Sequence, residues 1–564
     1  MNRLWSVRRT TLAAVAVIAV CGTLTAQHHN RHDPRALDED PRLAPGQIAP
    51  VLEGLGEHHH PVTTSSERAQ QFFDQGLSLT YGFNHQEALR AFKEAARLDP
   101  DCAMAYWGWA LVLGPNLNLP MRPDVVAQAW EAIGMALERR DGVSPRERAY
   151  IEALARRFAE DPQADRAPLD AAYAEAMAAL HAGDPDDTDA ATLYAAALMN
   201  TMPWNYWTRD GNPRENTEEL LSVLERVIEQ DPQHEGALHY YIHAVESVNP
   251  ERGRKAADLL RRLAPGAGHL THMPSHIYMQ VGRYADAYAD NALAAKADEG
   301  YIAQCRAQGI YPLGYYPHNV HFMAWAAIMQ GRSAAAIEAA RKVASKVPED
   351  HHGNTWQLYQ TFLSMPLYTL VRFGDWRQVL REPEPPAGML YWRGIWHYAR
   401  GMAYTHTGRT RRAAKELAAL NDIAEDPATS EVGIGFTSGT RLLTIAREVL
   451  AGELAAKHGD HADALAHLDR AVRLEDSLLY TEPPDWYYPV RHSLGAVLLE
   501  AGYPLEAEVV YWQDLREHRE NGYALFGLWQ ALEAQGRTDE AAVVQSRLRA
   551  AWADADVQLS SSRF

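Results

Sequence analysis

The sequence predicts an all-α protein of stacked helical hairpins, and three observations carry that expectation. A short grammar, a turn glycine followed five residues later by alanine, recurs as "GRYADAYADNALAAKAD", "GRSAAAIEAARKVASKVP", "GRTRRAAKELAAL", "GDHADALAHLDRAVRLED", "GYPLEAEVVYWQDL" and "GRTDEAAVVQSRLRAAW". Apolar residues return at helical spacing around such turns, as in "AQQFFDQGLSLTYGFNHQEALRAFKEAARLDP", which turns near Gly82 and stops at Asp-Pro. No Rossmann glycine pattern, phosphate loop or G-x-S-x-G stretch stands in a matching strand context, so the common nucleotide-binding and hydrolase folds lack support.

Taken in order, residues 1–26 carry Arg3, Arg8 and Arg9 ahead of an apolar run too short and punctuated for a membrane span, which reads as an export signal. The expected location is therefore periplasmic or extracellular, by the Sec or the twin-arginine route. Cleavage near Ala26 competes with lipid anchoring at Cys21, and no membrane span is expected after signal removal. Residues 27–65, rich in His, Pro and charge without apolar periodicity, read as an extended arm. Residues 66–550 hold the hairpins, and 551–564 form a C-terminal tail.

Composition fits this division. With 564 residues, 47% hydrophobic and 23% charged, the chain can bury a large core. Only Cys102 and Cys305 lie beyond the signal, so packing and not a disulfide framework must stabilise the fold. A net charge of −19 without a Lys/Arg block argues against nucleic acid or an anionic membrane as partner.

The Gly/Ala grammar resembles the tetratricopeptide repeat, about 34 residues of helix-turn-helix, over most of 66–550. Pro-rich inserts near 311–317, 383–386 and 483–489 interrupt the period. The resemblance implies a tetratricopeptide-type solenoid, a superhelix whose first helices line a concave groove. "HMPSHIYMQVGRY" and "YTEPPDWYYPVR" are similar to stretches of exported bacterial tetratricopeptide proteins, which adds a compartment but no reaction.

The repeat supplies a ruler for the histidines. With the turn glycine at position 15 and the Asp-Pro proline at 32, positions 2, 5, 9 and 12 share one face of the first helix. His239 and His243 then take positions 5 and 9, with Glu246 at 12; His272 and His276 take 5 and 9; His318 and His321 take 2 and 5. Three successive first helices thus offer two imidazoles each, spaced i, i+4 or i, i+3, to one groove. Pro274 and Pro317 suit first-turn positions that fix where their helices start.

Clustered imidazoles with few carboxylates point to a transition metal, copper ahead of zinc or iron, as one ion or two. The expected function is an exported metalloprotein, an oxidoreductase acting on a small or peptide-borne substrate, with zinc-type hydrolysis as runner-up. Glu246 is a candidate ligand, general base or solvated carboxylate, and His269 is expected to cap a loop or reach the site. The alternatives are a groove that binds peptides or envelope proteins and a metal carrier. The "YTEPPDWYYPVR" stretch, several repeats away, reads as a hairpin seal or a substrate wall.

Overall fold

The computed structural model describes residues 46–305, 311–347 and 356–564, so the expected export signal and the expected arm up to residue 45 lie outside the described residues. Two compact units emerge. The first comprises 46–244 with 262–267 and 301–305; the second comprises 245–261, 268–300 and the described residues from 311 onward. Both are built from tetratricopeptide-type helical hairpins, as the pair Glu67–Tyr81 and His85–Leu98 in the first and Val490–Glu500 and Pro504–Glu517 in the second illustrate. The one pair of strands among the described residues is a two-residue ribbon, Gly433–Ile434 antiparallel to Thr437–Ser438.

The turn glycines behave as the grammar requires. Gly282, Gly331, Gly408, Gly459, Gly502 and Gly536 all have positive φ, the left-handed conformation that glycine adopts without a Cβ clash. The alanines five residues on, Ala287, Ala336, Ala413, Ala464, Ala507 and Ala541, are fully buried where two helices cross. The first hairpin differs: Gly82 has φ −91°, and Phe83 takes the left-handed position at φ 55°. The burial register moves with it, to Ala88.

A second device recurs in both units. Phe92 lies midway in sequence between Gly76 and Gly108, and its ring fills the space a Cβ at either glycine would need, 2.7 Å and 2.3 Å from the nearest ring carbon. Tyr511 stands in the same relation to Gly495 and Gly527, at 2.4 Å and 2.1 Å. In each case a ring from the second helix of a hairpin is received by glycines of the flanking first helices. The glycines cost helix propensity, and the close approach of backbone to ring offsets it.

Arm and tail are both docked. Along the arm, the Ile48 and Leu52 amides donate to Glu94 and Gln75 at 2.8 Å and 2.9 Å, and the Thr63 amide donates to Glu147 at 2.6 Å. His58 and His60, in the arm and without a local pattern to mark them, close on Asp189 at 3.0 Å and 2.7 Å, where Tyr81 also donates at 2.5 Å. Burial opposes a charge on His58, yet Asp189 raises its pKa from 6.5 to about 9, while the surrounding histidines hold Asp189 well below the usual carboxylate range against its own burial. In the tail, the Ser562 hydroxyl donates to the His492 carbonyl at 2.7 Å and Arg563 meets Glu453 at 3.0 Å.

Cys102 and Cys305 are both buried and not joined to each other, so no disulfide contributes among the described residues. No helix of the described residues is long and apolar enough to cross a membrane.

Two expectations follow. Gly108→Ala drives a methyl into Phe92 and lowers stability by about 1–3 kcal/mol, read from the urea midpoint. The His58 contribution to arm docking is complete below pH 6.5 and disappears as pH rises through about 9. Proteolysis within 46–60 therefore accelerates between pH 7 and pH 10, and Asp189→Asn shows the faster cleavage already at pH 7.

Candidate metal centre

Three of the six expected histidines meet in the second unit. The segment expected to form one first helix is broken into Gly268–His272 and Pro274–Gln280, because Pro274 has no N–H to continue the ladder. The His276 amide instead donates to the Met273 carbonyl at 3.2 Å. His272 and His276 still face each other across the break, ring centroids 4.8 Å apart. Pro317 sits in the first turn of Tyr316–Met329 and sets His318 beside them, 4.9 Å from His272 and 5.9 Å from His276.

One ligand atom from each of these histidines lies within 4.8 Å of the other two. His272 and His276 are buried and His318 is half-buried. Phe322, one turn beyond His318, touches all three rings at centroid distances of 4.6, 4.8 and 4.9 Å.

The neighbours of the rings orient their nitrogens. Asn291 donates from Nδ2 to the Ser275 hydroxyl and to the Ala287 carbonyl, both at 2.7 Å. A carbonyl only accepts, so the opposite end of the amide is Oδ1, and it faces His272 Nδ1 at 2.6 Å. His272 therefore carries its proton on Nδ1 and a lone pair on Nε2. His276 Nδ1 lies 2.5 Å from Glu246 and 3.1 Å from Glu482, both acceptors when ionised, so its proton is drawn to Nδ1 as well.

The two Nε2 atoms are then directed at each other 2.8 Å apart. Two lone pairs repel at that distance unless a cation lies between or beside them, either a proton or a metal ion. Burial pushes the His276 pKa down, but Glu246 and then Glu482 outweigh it and raise it to about 10. The centre is thus organised to attract positive charge. A tetrahedral ion with imidazole bonds of about 2.0–2.1 Å needs nitrogens roughly 3.3 Å apart, a separation that small shifts of the half-buried His318 and its neighbours would reach.

Glu482 was the main residue hidden from the sequence as a site residue. It follows the helix His461–Glu475, and Gln280 donates to its second oxygen. Its only signal was the density of polar and aromatic residues in "YTEPPDWYYPVR", and repeat counting placed that stretch too far along the chain. Asn291 and Phe322 gave no separate signal. Trp486, Tyr487 and Tyr488 from the same stretch are buried in packing, with Tyr487 stacked on Tyr368 at 4.8 Å.

The other expected residues have surroundings of their own. His321 stacks on Tyr487 and meets Phe362, each at 5.7 Å, and burial drives its pKa down to about 3, so it is a neutral packing residue outside the trio. His239 and His243 lie in the first unit as an i, i+4 pair with centroids 4.9 Å apart; His239 Nδ1 donates to the Tyr81 carbonyl at 2.5 Å, and His243 meets the Trp204 edge at 5.1 Å. His269 is not in a loop: it belongs to the turn Gly268–His272, with its ring on Tyr315 at 4.8 Å. Glu246 sits behind His276, where it orients the ring.

The first unit's cluster of His58, Asp189 and His234 also brings ligand-type atoms together, but its proton arrangement is opposite. His234 Nδ1 accepts the Ala237 amide at 3.3 Å, so its proton is on Nε2, facing Asp189 at 3.3 Å and Thr192 at 3.2 Å. A metal at that nitrogen would displace the proton that holds the clasp together. The tautomers therefore distinguish an arm clasp in the first unit from a cation-seeking centre in the second.

No protein-family model and no characterised protein sequence matches the chain. Among solved structures, the human IFIT1 dimer with m7Gppp-AAAA is similar at 12% identity and a TM-score of 0.29, covering 87% of this chain and 92% of that one. The APC/C hetero-tetramer Cut9-Hcn1 is similar at 12% and 0.30, over 86% and 76%. Naa15/Naa10 bound to HypK-THB gives 13% and 0.23, over 86% and 70%. These values carry no argument about ligands or activity, and the tetratricopeptide-type helical fold rests on the chain's own hairpins.

Proposed function

We propose that the chain is a metalloprotein whose helical-repeat scaffold holds a transition-metal ion on His272, His276 and His318. The observation that carries this reading is the opposed pair of Nε2 atoms 2.8 Å apart, with the Asn291 oxygen at His272 Nδ1 and two carboxylates beside His276 Nδ1. The donors fit such an ion: three imidazoles suit copper, zinc or iron, and a carboxylate behind a ligating imidazole fixes its tautomer and raises its basicity. Three protein ligands leave a position for a substrate or water, which is the condition for catalysis rather than for a purely structural site.

Copper or iron would supply redox chemistry there, and zinc a Lewis acid; oxidation of a small or peptide-borne substrate is the favoured reaction, after export directed by residues 1–26. The chain's own contributions are separable from the ion's. Glu246 and Glu482 hold the His276 proton at Nδ1, Asn291 does the same for His272, and Phe322 covers the three rings. A second reading has one observation in its favour. The high pKa of His276 permits a proton to bridge the two histidines, which would make the pair a structural element of a binding scaffold.

Metal content separates the two. Full-length protein stripped of metal and equilibrated with Cu²⁺ or Zn²⁺ is expected to retain one ion per chain after gel filtration. His272→Ala with His276→Ala is expected to retain none while keeping the wild-type circular dichroism. Glu482→Gln should weaken metal binding about 10- to 100-fold, as removal of such a supporting carboxylate does elsewhere. A folded wild-type chain that retains no ion leaves the proton-bridged scaffold as the function of the pair.

A further inference from the structure

The first unit contains a cavity far from its arm clasp in chemistry. It is walled by Leu111, Leu117, Leu193 and Met199, with Arg157, Tyr173 and Thr80 among its buried polar groups. Including its mouth it encloses about 460 Å³, and the centre of a water-sized sphere can range over about 40 Å³. That is room for roughly three waters, or for one molecule of a few non-hydrogen atoms.

Tyr173 is 2% exposed, yet its hydroxyl has no hydrogen-bond partner among the described residues. Burial pushes its pKa up to about 12, against the pull of Arg157, so it stays a neutral O–H donor. A buried hydroxyl without a partner costs about 1–3 kcal/mol, which a ligand or water can recover. Arg157, also 2% exposed, is fixed by Nε on Asp170 at 3.2 Å and by Nη2 on the Pro115 carbonyl at 2.9 Å, with its guanidinium carbon 4.9 Å over the Tyr173 ring. Asn200 contributes a buried Oδ1 without a hydrogen-bond partner among the described residues. His85, at the rim, is pushed down to about 4 by burial and by Arg157, and so adds no second charge.

We infer that this cavity binds a short-chain carboxylate of about two to four carbons, the carboxylate on Arg157 and Tyr173 and the chain against the leucines. One fixed guanidinium and one neutral hydroxyl match the acceptors of a carboxylate, and charge-assisted hydrogen bonds of this kind are the stronger ones. The aliphatic wall favours a short apolar tail over an inorganic anion. Asn200 Oδ1 receives a hydroxyl where the acid carries one. The site is independent of the metal centre and stands or falls separately.

Isothermal titration of the full-length chain with acetate, propionate and lactate, at constant ionic strength set with sodium chloride, tests it. Saturable binding of at least one acid at roughly millimolar concentration is expected, with propionamide at least about tenfold weaker. Tyr173→Phe is expected to weaken the acid about tenfold without lowering stability, since it removes only a buried oxygen that has no partner; Asn200→Ala should weaken lactate selectively over propionate. Absence of saturable binding to the wild-type chain overturns the inference, as does equal binding of propionamide or of the Tyr173→Phe variant, and ordered water would then be the occupant.

Discussion

The contact between His272 Nε2 and His276 Nε2 is the constraint around which the second unit's interior is arranged. Two imidazole lone pairs do not approach to 2.8 Å without a proton or a metal ion between or beside them. The rings are positioned there because Asn291 faces one and the carboxylates of Glu246 and Glu482 face the other. Each support is itself supported, Asn291 through the Ser275 hydroxyl and the Ala287 carbonyl, and Glu482 through Gln280. The chain thereby keeps two buried carboxylates beside a pair of buried imidazoles, an arrangement that is costly without positive charge and stable with it.

The scaffold makes this possible by being rigid where it is repetitive and irregular where it is polar. Glycines receive Phe92 and Tyr511 at helix crossings, and left-handed turn glycines followed by buried alanines set the hairpin spacing. The centre lies where that regularity gives way, at the break before Pro274 and after the π-helical turn Tyr311–Tyr315. Interrupted helices at both histidine segments turn side chains toward each other that an unbroken ladder would hold at its own spacing.

Much of the fold was legible in the residues. The Gly-to-Ala interval marked six turns, and each has the backbone conformation and the burial that the interval implies; in the first hairpin the same signal was displaced by one residue because Phe83 adopts the strained turn position. Part of the centre was legible too. Helical spacing put His272 with His276, and the repeat register brought His318 to them. The same register misplaced His321, since i, i+3 from His318 turns it onto Tyr487 and Phe362. His58 and His60 were unreadable because their value lies in one distant carboxylate, Asp189, and no local pattern encodes it.

The sequence by itself determined the elements: periodic apolar residues and turn glycines act over a few residues, and local sterics are enough to make helices and hairpins of them. Tertiary structure alone decided which nitrogen of each histidine carries a proton and which carboxylate stands behind it. Those properties depend on groups such as Asn291 and Glu482, brought to hydrogen-bonding distance by packing across the second unit. Electrostatics acts through space, and the chain order of Glu482 and His276 holds no record of their separation.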